Sequence, residues 1–329
     1  MKKILVTGGC GFIGSCFVKQ QILKGNLVIN LDKLTYCANP ENLSDIADNP
    51  NYIFVKGDIC DQSLVSEIIN KHQIDWLVNF AAESHVDNSI DGPGIFIQTN
   101  INGTFNLLEE SKKYFETLEG DKKNNFRFLH VSTDEVFGSL KEGDAPFNPD
   151  SNYKPNSPYS SSKAASDHLV RAWSETYKLP TIITNCSNNY GSNQHHEKLI
   201  PKIINCCIEG KNIPIYGNGK NIRDWIHVKD HCAGINLALT KGSIGKQYLF
   251  GGENEVTNLD IAKIICKIFD KLKPKSASYQ ELIQFVEDRK GHDFRYAIDN
   301  KQSELDLGFR PQKNFTNEIE NLVKSKLVN

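Results

Sequence analysis

The sequence of 329 residues has no long apolar run, no large excess of charge and no C-x-x-C pair of cysteines. A membrane-spanning helix needs about 20 consecutive apolar residues, and no stretch of the chain approaches that length. Nucleic-acid-binding proteins usually carry a basic excess, whereas the net charge here is -2. These absences predict a protein that spans no membrane and binds no nucleic acid.

The cysteines exclude two further roles. None of the nine cysteines forms a C-x-x-C pair, so neither a zinc site nor a dithiol redox motif is expected. An odd number of cysteines in a chain of this length is typical of free thiols in a reducing compartment. The first 15 residues have two lysines and a short apolar run, but their glycines favour a strand–turn–helix over a signal peptide. We therefore expect a cytoplasmic protein without a bound metal.

A regular alternation of strands and helices is present in the first half of the chain. Short apolar strands at 3–7 and 27–31 alternate with a helical segment at 14–24, and the pattern repeats further on. Strands that alternate with helices at this spacing are typical of βαβ units and a parallel sheet. The fold class predicted is α/β, with a Rossmann doubly wound parallel sheet and a smaller C-terminal substrate-binding α/β domain.

A glycine-rich loop joins the first strand to the first helix. Gly8, Gly11 and Gly14 allow a tight turn and let a pyrophosphate approach the backbone N–H groups at the start of the helix. Asp32 ends the second strand, 18 residues after Gly14, where its carboxylate can accept hydrogen bonds from ribose hydroxyls and would repel a 2′-phosphate. Asp58 follows the third strand and is placed to meet the adenine. Together these residues predict NAD as the cofactor.

The domain boundary is expected near Cys186. Residues 1–185 would form the NAD-binding Rossmann domain and residues 186–329 the domain that binds the substrate. Part of the chain near 225–250 is expected to return to the Rossmann sheet.

Between the fourth and fifth strands, the pattern predicts a continuous helix over about 95–114 and a charged surface loop at 119–125.

Tyr159 and Lys163 stand four residues apart at the start of a predicted helix. Side chains at this spacing share one face of a helix. A nearby ammonium favours the phenolate and would lower the pKa of the tyrosine from its reference value of about 10. Tyr159 is therefore a candidate base, with Ser132 or Thr133 as its hydroxyl partner. In this arrangement the chain resembles the extended short-chain dehydrogenase/reductase superfamily, whose members modify sugar nucleotides.

Asp134 and Glu135 are adjacent carboxylates that follow the fifth strand. Such a pair can be a simple polar turn. The elimination of water, however, needs one group to remove a proton next to a ketone and another to protonate the departing hydroxyl. Like charges disfavour joint ionisation, so the pKa values of the pair are pushed apart. A 4-epimerase on the same scaffold does not need the pair, and we therefore expect a dehydratase.

Nearly the whole chain is similar to the dTDP-glucose 4,6-dehydratase family. The resemblance rests on the glycine loop and on residues 31–36, 57–61, 79–87, 132–136, 186–191, 197–201, 223–225 and 291–293. Members of this family are usually dimers that pack through a helix bundle including the Tyr159–Lys163 helix. The resemblance therefore implies a homodimer that acts on a nucleoside-diphosphate glucose.

The family resemblance also implies a mechanism. Tyr159, aided by Lys163, would take the proton of the C4 hydroxyl while hydride passes from C4 to NAD. Glu135 would then remove the C5 proton, and Asp134 would protonate the departing C6 hydroxyl. Thr133 would hydrogen-bond at O4. The return of hydride to C6 would give a 4-keto-6-deoxy sugar nucleotide.

Two sets of binding residues are implied by the same resemblance. The NAD contacts would be Gly8, Gly11, Phe12, Ile13, Gly14, Asp32, Lys33, Leu34, Thr35, Asp58, Ile59, Ala81, Ala82, Ser84, Thr99, Tyr159, Lys163 and Asn189. The substrate contacts would be Ser84, Thr133, Asn188, Lys198, Leu199, Arg223, Asn258, Asp288, Arg289 and His292. Arg223 suits a diphosphate because its planar guanidinium can bind two oxygens, and the alternative for this residue is a surface ion pair with Asp224.

Several positions depart from the family pattern. Asn88 and Phe294 stand where arginine is expected, Lys290 replaces proline, and residues 192–196 replace a run with proline and aromatics. Asn88 and the pair at 193–194 are more similar to UDP-glucose dehydratases. The alternatives left open are a UDP-glucose 4,6-dehydratase, a nucleotide-sugar 4-epimerase or decarboxylase, and a catalytically silent NAD-binding regulator.

Overall fold

The computed structural model describes residues 1–328 of the chain. Its strands are β1 (Lys3–Thr7), β2 (Leu27–Asp32), β3 (Tyr52–Lys56), β4 (Trp76–Asn79), β5 (Arg127–Thr133), β6 (Thr181–Cys186), β7 (Asn188–Tyr190), β8 (Ile213–Tyr216), β9 (Ile222–His227), β10 (Gln247–Phe250), β11 (Glu255–Thr257) and β12 (Ile283–Val286). Its α-helices are α1 (Phe12–Leu23), α2 (Gln62–His72), α3 (Val86–Asp91), α4 (Pro93–Phe96), α5 (Thr104–Glu116), α6 (Gly120–Asn125), α7 (Pro158–Tyr177), α8 (Leu199–Glu209), α9 (Val228–Lys241), α10 (Asn258–Leu272), α11 (Lys301–Leu307) and α12 (Phe315–Val328).

Seven of these strands form one parallel sheet in the order β10-β6-β5-β4-β1-β2-β3. The order reverses beside β1, because β2 and β3 lie on one side of it and β4 to β6 on the other. In open α/β sheets, ligands bind outside the carboxyl ends of the strands at such a reversal. The predicted Rossmann α/β fold is confirmed, and its topology places a site at the ends of β1 and β4.

Side chains of the central strands alternate between the two faces of the sheet. Ile4 and Val6 of β1 pack with Phe17 of α1 on one face, whereas Leu5 packs with Leu107 of α5 on the other. These five side chains are fully buried. Because helices cover both faces, β1 is a continuous apolar run rather than an alternation of apolar and polar residues.

The second half of the chain builds a smaller body of sheet and helix. It contains a three-stranded sheet in the order β11-β9-β7 and a parallel pair of β12 and β8. Ile203 of α8, Ile265 of α10 and Ile319 of α12 meet in its core. β10 leaves this half and pairs with β6 at the edge of the large sheet. The division of the chain at residue 186 stays a prediction.

The predicted continuous helix over 95–114 is wrong in its first part. The structure has the short α4, then a π-helical segment at Ile97–Gly103, and only then α5. The widened turn contains Asn100, whose side chain is held by the backbone of Glu83 on both its oxygen and its nitrogen. The same amide nitrogen donates to Ser162 Oγ of α7 at 2.8 Å. These contacts between distant segments favour the wide turn, and π-bulges of this kind are frequent at functional sites.

The charged segment at 119–125 was expected to be a loop, and this expectation is wrong for most of it. Residues Gly120–Asn125 form the short helix α6, none of whose residues is buried. The side chain of Asn125 donates to the backbone oxygen of Asp121 at 2.7 Å within it. Because the helix has no apolar face, the sequence offered no periodicity that could have indicated it.

Replacement of Gly8 by alanine should destabilise the fold more than the same change at Gly25. Both residues have a positive φ, +71° and +74°. Alanine disfavours this left-handed backbone conformation, so each substitution costs roughly 1–2 kcal/mol of stability. At Gly8 the new Cβ would also lie 2.7 Å from the backbone nitrogen of Ala81, whereas nothing lies within 4 Å at Gly25. We expect an additional loss of about 1–3 kcal/mol in Gly8→Ala, measured by urea unfolding. Equal losses in the two variants would contradict the close packing of this loop.

Candidate active site

A cavity of about 300 Å³ opens at the carboxyl edge of the large sheet, where the strand order reverses. All five predicted catalytic residues line it, namely Thr133, Asp134, Glu135, Tyr159 and Lys163. Every predicted cofactor contact except Leu34 also lines it. Of the predicted substrate contacts, those on its wall are Ser84, Thr133, Asn188 and Lys198.

The glycine loop combines close packing with an open helix end. A Cβ at Gly14 would lie 2.2 Å from the oxygen of Gly8, so the turn can close only on glycine. At Gly11 the nearest atom to an added Cβ is 3.2 Å away, and this residue borders the cavity. No side chain caps the start of α1. Its first N–H groups are therefore available to an anion, which fits the pyrophosphate of a dinucleotide.

Each carboxylate oxygen of Asp32 accepts a hydrogen bond from a backbone N–H group. Its Oδ2 accepts from the N–H of Cys10 at 2.9 Å and its Oδ1 accepts from the N–H of Leu34 at 2.8 Å. Burial raises the pKa of this carboxyl, and the two N–H groups oppose the shift. Leu34 adopts φ 59° and packs its side chain against the core, so its contribution to the site is the N–H group alone.

A close ion pair also borders the cavity near Asp32. Lys33 Nζ lies 2.7 Å from Asp58 Oδ2, and the N–H of Cys60 donates to the other oxygen of Asp58 at 2.9 Å. These contacts fix the carboxylate at the end of β3. The arrangement leaves Asp58 at the position where the sequence predicts the adenine.

The two adjacent carboxylates lie in a single 3-10 turn that directly follows β5. Thr133 caps this turn, because its Oγ1 accepts from the N–H of Glu135 and donates to Asp134 Oδ1, each at 3.3 Å. Asp134 is 2 % exposed and its Oδ2 has no hydrogen-bond partner. Burial, Glu135 and Asp224 together raise the pKa of Asp134 well above its usual range, which favours the protonated form of this carboxyl.

Glu135 has a different electrostatic environment from its neighbour. Burial raises the pKa of its carboxyl, but three cations oppose this shift, namely Arg289, Arg223 and Lys198. Asp134 has a single opposing cation, Arg223, beside two carboxylates that raise its pKa. The surroundings thus favour a neutral acid at Asp134 and an ionised base at Glu135.

Tyr159 and Lys163 lie on the first two turns of α7. Ser157 begins this helix with a capping box, in which its side chain and that of Ser160 each accept from the other's N–H. Lys163 is 3 % exposed, and its Nζ donates to the backbone oxygen of Val131 at 2.8 Å. Burial lowers the pKa of Lys163 to about 8. The ring of Tyr159 packs edge-on against Phe96.

The predicted direction of the pKa shift at Tyr159 is wrong for the protein chain on its own. Burial raises the pKa of the phenol well above its usual range, and Glu135, Cys186 and Asp134 add to the rise. The ammonium of Lys163 is directed at Val131 and does not outweigh these effects. The chain alone therefore holds the phenol protonated.

Lys198 is a predicted substrate contact that lies on the cavity wall. Its Nζ donates to the backbone oxygen of Ser84 at 3.2 Å, which joins the segment after β4 to the start of α8. Leu199 is the first residue of α8, packs against the core of the second half and does not reach the cavity wall. Asn258 begins α10, and its buried Oδ1 has no hydrogen-bond partner.

Arg223 is buried, which overturns the alternative of a surface ion pair with Asp224. Its guanidinium donates to the backbone oxygen of Asp293 at 2.9 Å and stacks over the ring of Tyr296 at 4.3 Å. Asp224 instead accepts from the backbone N–H groups of residues 252 and 254. Arg223 is thus fixed in the wall behind the catalytic carboxylates.

Asp288, Arg289 and His292 lie together, beyond the residues that line the cavity. His292 Nδ1 is 2.6 Å from Asp288 Oδ1, and Arg289 lies 3.7 Å from Asp87. The Nε of Arg289 is buried without a hydrogen-bond partner. Tyr216 stacks edge-on against His292 at 6.2 Å. The group forms a charged and aromatic surface on the substrate side.

Sequence reasoning missed several residues of the cavity wall. They include Cys37, Glu83, Val131, Cys186, Gln194 and His195. Burial raises the pKa of the Cys186 thiol, so it is a neutral group beside the catalytic residues. The signal for His195 was its place in the segment that departs from the family pattern. Its ring packs edge-on against Tyr36 at 5.7 Å, and that contact joins two distant segments.

Comparison with known proteins identifies the family. A family model described as GDP-mannose 4,6 dehydratase matches residues 5–322. The dTDP-glucose 4,6-dehydratase of Salmonella typhimurium is 50% identical over 99% of this chain and 93% of its own length. The chain belongs to the dTDP-glucose 4,6-dehydratase family. This membership confirms the resemblance inferred from the glycine loop and the Asp134–Glu135 segment.

Solved structures agree with this family and show how widely the fold is shared. The dTDP-glucose 4,6-dehydratase of Streptomyces venezuelae, solved with NAD bound, superposes with a TM-score of 0.90 at 42% identity, covering 99% of this chain and 97% of that one. A UDP-glucose 4-epimerase of Thermotoga maritima has a TM-score of 0.86 at 26% identity, covering 99% and 100%. The fold alone therefore does not separate dehydratases from epimerases, and the site residues must do so.

Residues 1–328 contain neither a candidate membrane span nor a candidate metal cluster. No helix there is both long and apolar enough to cross a membrane. Across the same residues, no three His, Cys, Asp or Glu side chains are grouped so as to hold a metal ion. His195 and His196 stack on each other, and Glu197 contacts the first of them at 3.6 Å.

Replacement of Asp32 by alanine should weaken the binding of NAD, the cofactor predicted from the sequence. A hydrogen bond to a charged group contributes about 1.5–3 kcal/mol, so we expect the affinity to fall by about tenfold or more. Asp61→Ala is the matched control, since Asp61 also accepts a backbone N–H, from Leu64 at 3.0 Å, but lies outside the cavity. Calorimetric titration of both variants after removal of bound nucleotide should show a loss in Asp32→Ala alone. Equal affinities would remove Asp32 from the cofactor site.

Proposed function

We propose that this chain converts dTDP-glucose to dTDP-4-keto-6-deoxyglucose by oxidation at C4, elimination of water across C5 and C6, and return of hydride to C6. The observation that carries the proposal is the pair Asp134 and Glu135, which share one cavity wall with Tyr159 and Lys163. A 4-epimerase needs the tyrosine and the lysine but has no use for two adjacent carboxylates. Identity of 50% to an enzyme with this name supports the same substrate.

The cofactor proposed is NAD, held by the glycine loop and by Asp32. When bound, NAD supplies a positively charged acceptor that takes hydride from C4 and later returns it to C6. The chain's own contribution is the uncapped start of α1 for the pyrophosphate and the carboxylate of Asp32 for the ribose hydroxyls. Asp32 also disfavours a 2′-phosphate, which separates NAD from NADP.

Tyr159 is the base proposed for the C4 hydroxyl. In the chain alone its phenol is protonated, because burial and the nearby carboxylates raise its pKa. Loss of that proton therefore requires positive charge close to the ring. Lys163 is the protein group that provides it, fixed by Val131 within the cavity wall. Thr133 opposes this rise in the pKa of the phenol.

Elimination is assigned to the two carboxylates according to their surroundings. Glu135 faces three cations that favour its ionised form, so it is suited to remove the C5 proton once a ketone at C4 has made that proton acidic. Asp134 is buried next to two other carboxylates, which raise its pKa and favour its protonated form, so it is suited to protonate the C6 hydroxyl as it leaves. The difference in charge environment gives each residue one role.

The nucleotide-sugar is proposed to lie between Lys198 and the surface formed by Asp288, Arg289 and His292. Arg223 lies behind this region with its guanidinium already bonded to backbone oxygens. The binding set that we propose comprises Ser84, Thr133, Asn188, Lys198, Leu199, Arg223, Asn258, Asp288, Arg289 and His292. Thymidine is favoured over uridine because the curated relatives at about 50% identity bear the dTDP-glucose name.

Two of the departures from the family pattern, Asn88 and the segment 192–196, meet at one place on the rim of the site. Asn88 Nδ2 donates to the hydroxyl of Tyr36 at 3.4 Å, and Tyr36 contacts both His195 and Glu197. Asn88 itself does not line the cavity. The changes at 88 and 192–196 thus form a local contact set that leaves the catalytic carboxylates untouched.

Incubation with dTDP-glucose and UDP-glucose in parallel tests the proposed function. We expect a product 18 Da lighter from dTDP-glucose, in line with the loss of one water, and slower conversion of UDP-glucose, with mass and NMR analysis of both reactions. A galactose product without deoxygenation at C6 would indicate the 4-epimerase. Faster conversion of UDP-glucose would transfer the assignment to the uridine enzyme.

Variants of the two carboxylates should stop the reaction at different stages. Glu135→Gln should stall after oxidation at C4, leaving reduced nicotinamide absorbance on the enzyme and no exchange of the C5 proton with solvent. Asp134→Asn should still exchange that proton in D₂O but lose water slowly, with kcat lower by about 10²–10⁴. Mass spectrometry of recovered substrate separates the two results. Identical exchange in both variants would contradict the assignment of base and acid.

We also propose that the protein is a cytoplasmic homodimer that packs through α5 and α7. Large apolar side chains are exposed on this surface, with Ile97 and Phe105 each 46% and Tyr177 45% accessible. Phe105 and Trp173 stack edge-on across the two helices at 5.7 Å. Large apolar side chains left exposed in this way are typical of a protein–protein interface. Free cysteines fit a reducing compartment.

Phe105→Glu should convert the dimer to a monomer, because a charge would be buried at the centre of the proposed interface. Light scattering during size-exclusion chromatography measures the mass. Phe285→Glu is the control, since Phe285 is 55% exposed on β12, away from α5 and α7. A monomeric wild type, or an unchanged mass in Phe105→Glu, would disprove this interface.

A further inference from the structure

A buried histidine and a buried aspartate lie beneath Lys163, outside the cavity. His130 of β5 is 0% exposed and Asp167 of α7 is 1% exposed. His130 Nε2 lies 3.2 Å from Lys163 Nζ and 3.5 Å from Asp167 Oδ1. Neither side chain lines the cavity. Both therefore act on the site, if at all, through the lysine.

Asp167 is oriented by donors that leave one of its oxygens facing the histidine. Its Oδ2 accepts from Ser132 Oγ and Tyr153 OH, each at 2.8 Å, and from Asn185 Nδ2 at 3.3 Å. Its Oδ1 is buried and has no hydrogen-bond partner. Three donors on one oxygen fix the orientation of the carboxylate. Its other oxygen therefore faces His130, and Lys163 lies on the far side of that ring.

His130 is held on its other side by the amide of Asn79. The ring Nδ1 lies 3.1 Å from Asn79 Nδ2, while Asn79 Oδ1 accepts from Thr7 Oγ1 at 2.6 Å. With the amide oriented by Thr7, Nδ1 acts as acceptor and Nε2 carries the ring proton. Burial lowers the pKa of His130 well below its usual range, so the ring is neutral. A neutral ring adds no positive charge beside Lys163, and a protonated Nε2 accepts no hydrogen bond from the amino group.

The groups that face Lys163 come from three elements. β5 contributes His130 and the oxygen of Val131, α7 contributes Asp167, and β6 contributes Cys186. The thiol of Cys186 is neutral because burial raises its pKa. Asp167 is thus the carboxylate that opposes the effect of burial on the amino group.

We propose that Asp167 is a positioning residue whose carboxylate keeps the amino group of Lys163 charged while that group donates to Val131, and that the neutral ring of His130 fills the space between the two. The inference rests on the proposed function, because the charge matters for the oxidation at C4 that Tyr159 begins. Without this carboxylate, a lysine at this depth would lose its proton more readily, and the phenol of Tyr159 would lose its partner charge. The effect is confined to the first chemical step and does not involve substrate binding.

Asp167→Asn tests this inference with little change in shape. We expect kcat to fall by about tenfold or more with KM unchanged, since neither residue touches the cavity. Because the variant weakens the charge that favours the phenolate, the acidic limb of the pH profile of kcat/KM should move to higher pH. These readouts separate a positioning role from a general loss of stability.

A second readout follows the lysine itself and does not depend on turnover. The protein is labelled with lysine carrying ¹³C at Cε, and the Lys163 signal is assigned by its absence in Lys163→Arg. Its titration should fall near the pKa of about 8 in the wild type and at lower pH in Asp167→Asn. An unchanged titration in Asp167→Asn would overturn the inference, whatever the activity. If the wild type turns over neither nucleotide-sugar, the proposed function fails, while this titration still decides the role of Asp167.

Two further sets of variants provide the controls. Tyr153→Phe removes a hydrogen bond to the same Asp167 oxygen but leaves the charge, so we expect lower stability with the wild-type pH profile and lysine titration. His130→Gln retains an amide where Nε2 lies and should keep more activity than His130→Leu. If Tyr153→Phe shifts the profile as Asp167→Asn does, Asp167 has a structural role alone.

Discussion

The site depends on one constraint: ionisable side chains are buried away from water at the carboxyl edge of the sheet. Parallel strands bury their apolar runs between two layers of helices, and the polar residues that end β5 are carried into the same dry interior. A charge there is costly unless another charge or a hydrogen bond compensates for it. Asp134 and Lys163 meet that cost in opposite ways, one by keeping its proton and the other by approaching the loss of its own.

The division of labour in the site follows from which charges surround each group. Glu135 faces arginines and a lysine contributed by segments of the second half, whereas Asp134 faces carboxylates. Two adjacent residues with the same functional group therefore have different electrostatic surroundings, because the chain brings different neighbours to each. The second half of the molecule thus sets the chemistry of residues that belong to the first.

Local patterns in the sequence predicted much of the site. The glycine loop, Asp32 and the spacing of Tyr159 and Lys163 each depend on a few consecutive residues, and such signals are readable without a structure. The contacts that come from distant segments were not predictable. The raised pKa of Tyr159 follows from its burial, and the π-helical turn follows from Asn100 reaching residues on other elements. Short strands in the second half lack the apolar periodicity that revealed those in the first.

The return of β10 to the edge of the large sheet has a consequence for how this molecule folds. Residues 247–250 pair with 183–186, so the outermost strand is added only after the intervening 60 or so residues have been synthesised. Until then, β6 presents an unpaired edge of backbone donors and acceptors. The nascent chain therefore passes through a stage in which the nucleotide-binding half carries an exposed strand. Pairing of β10 both closes that edge and links the completion of one half to the synthesis of the other.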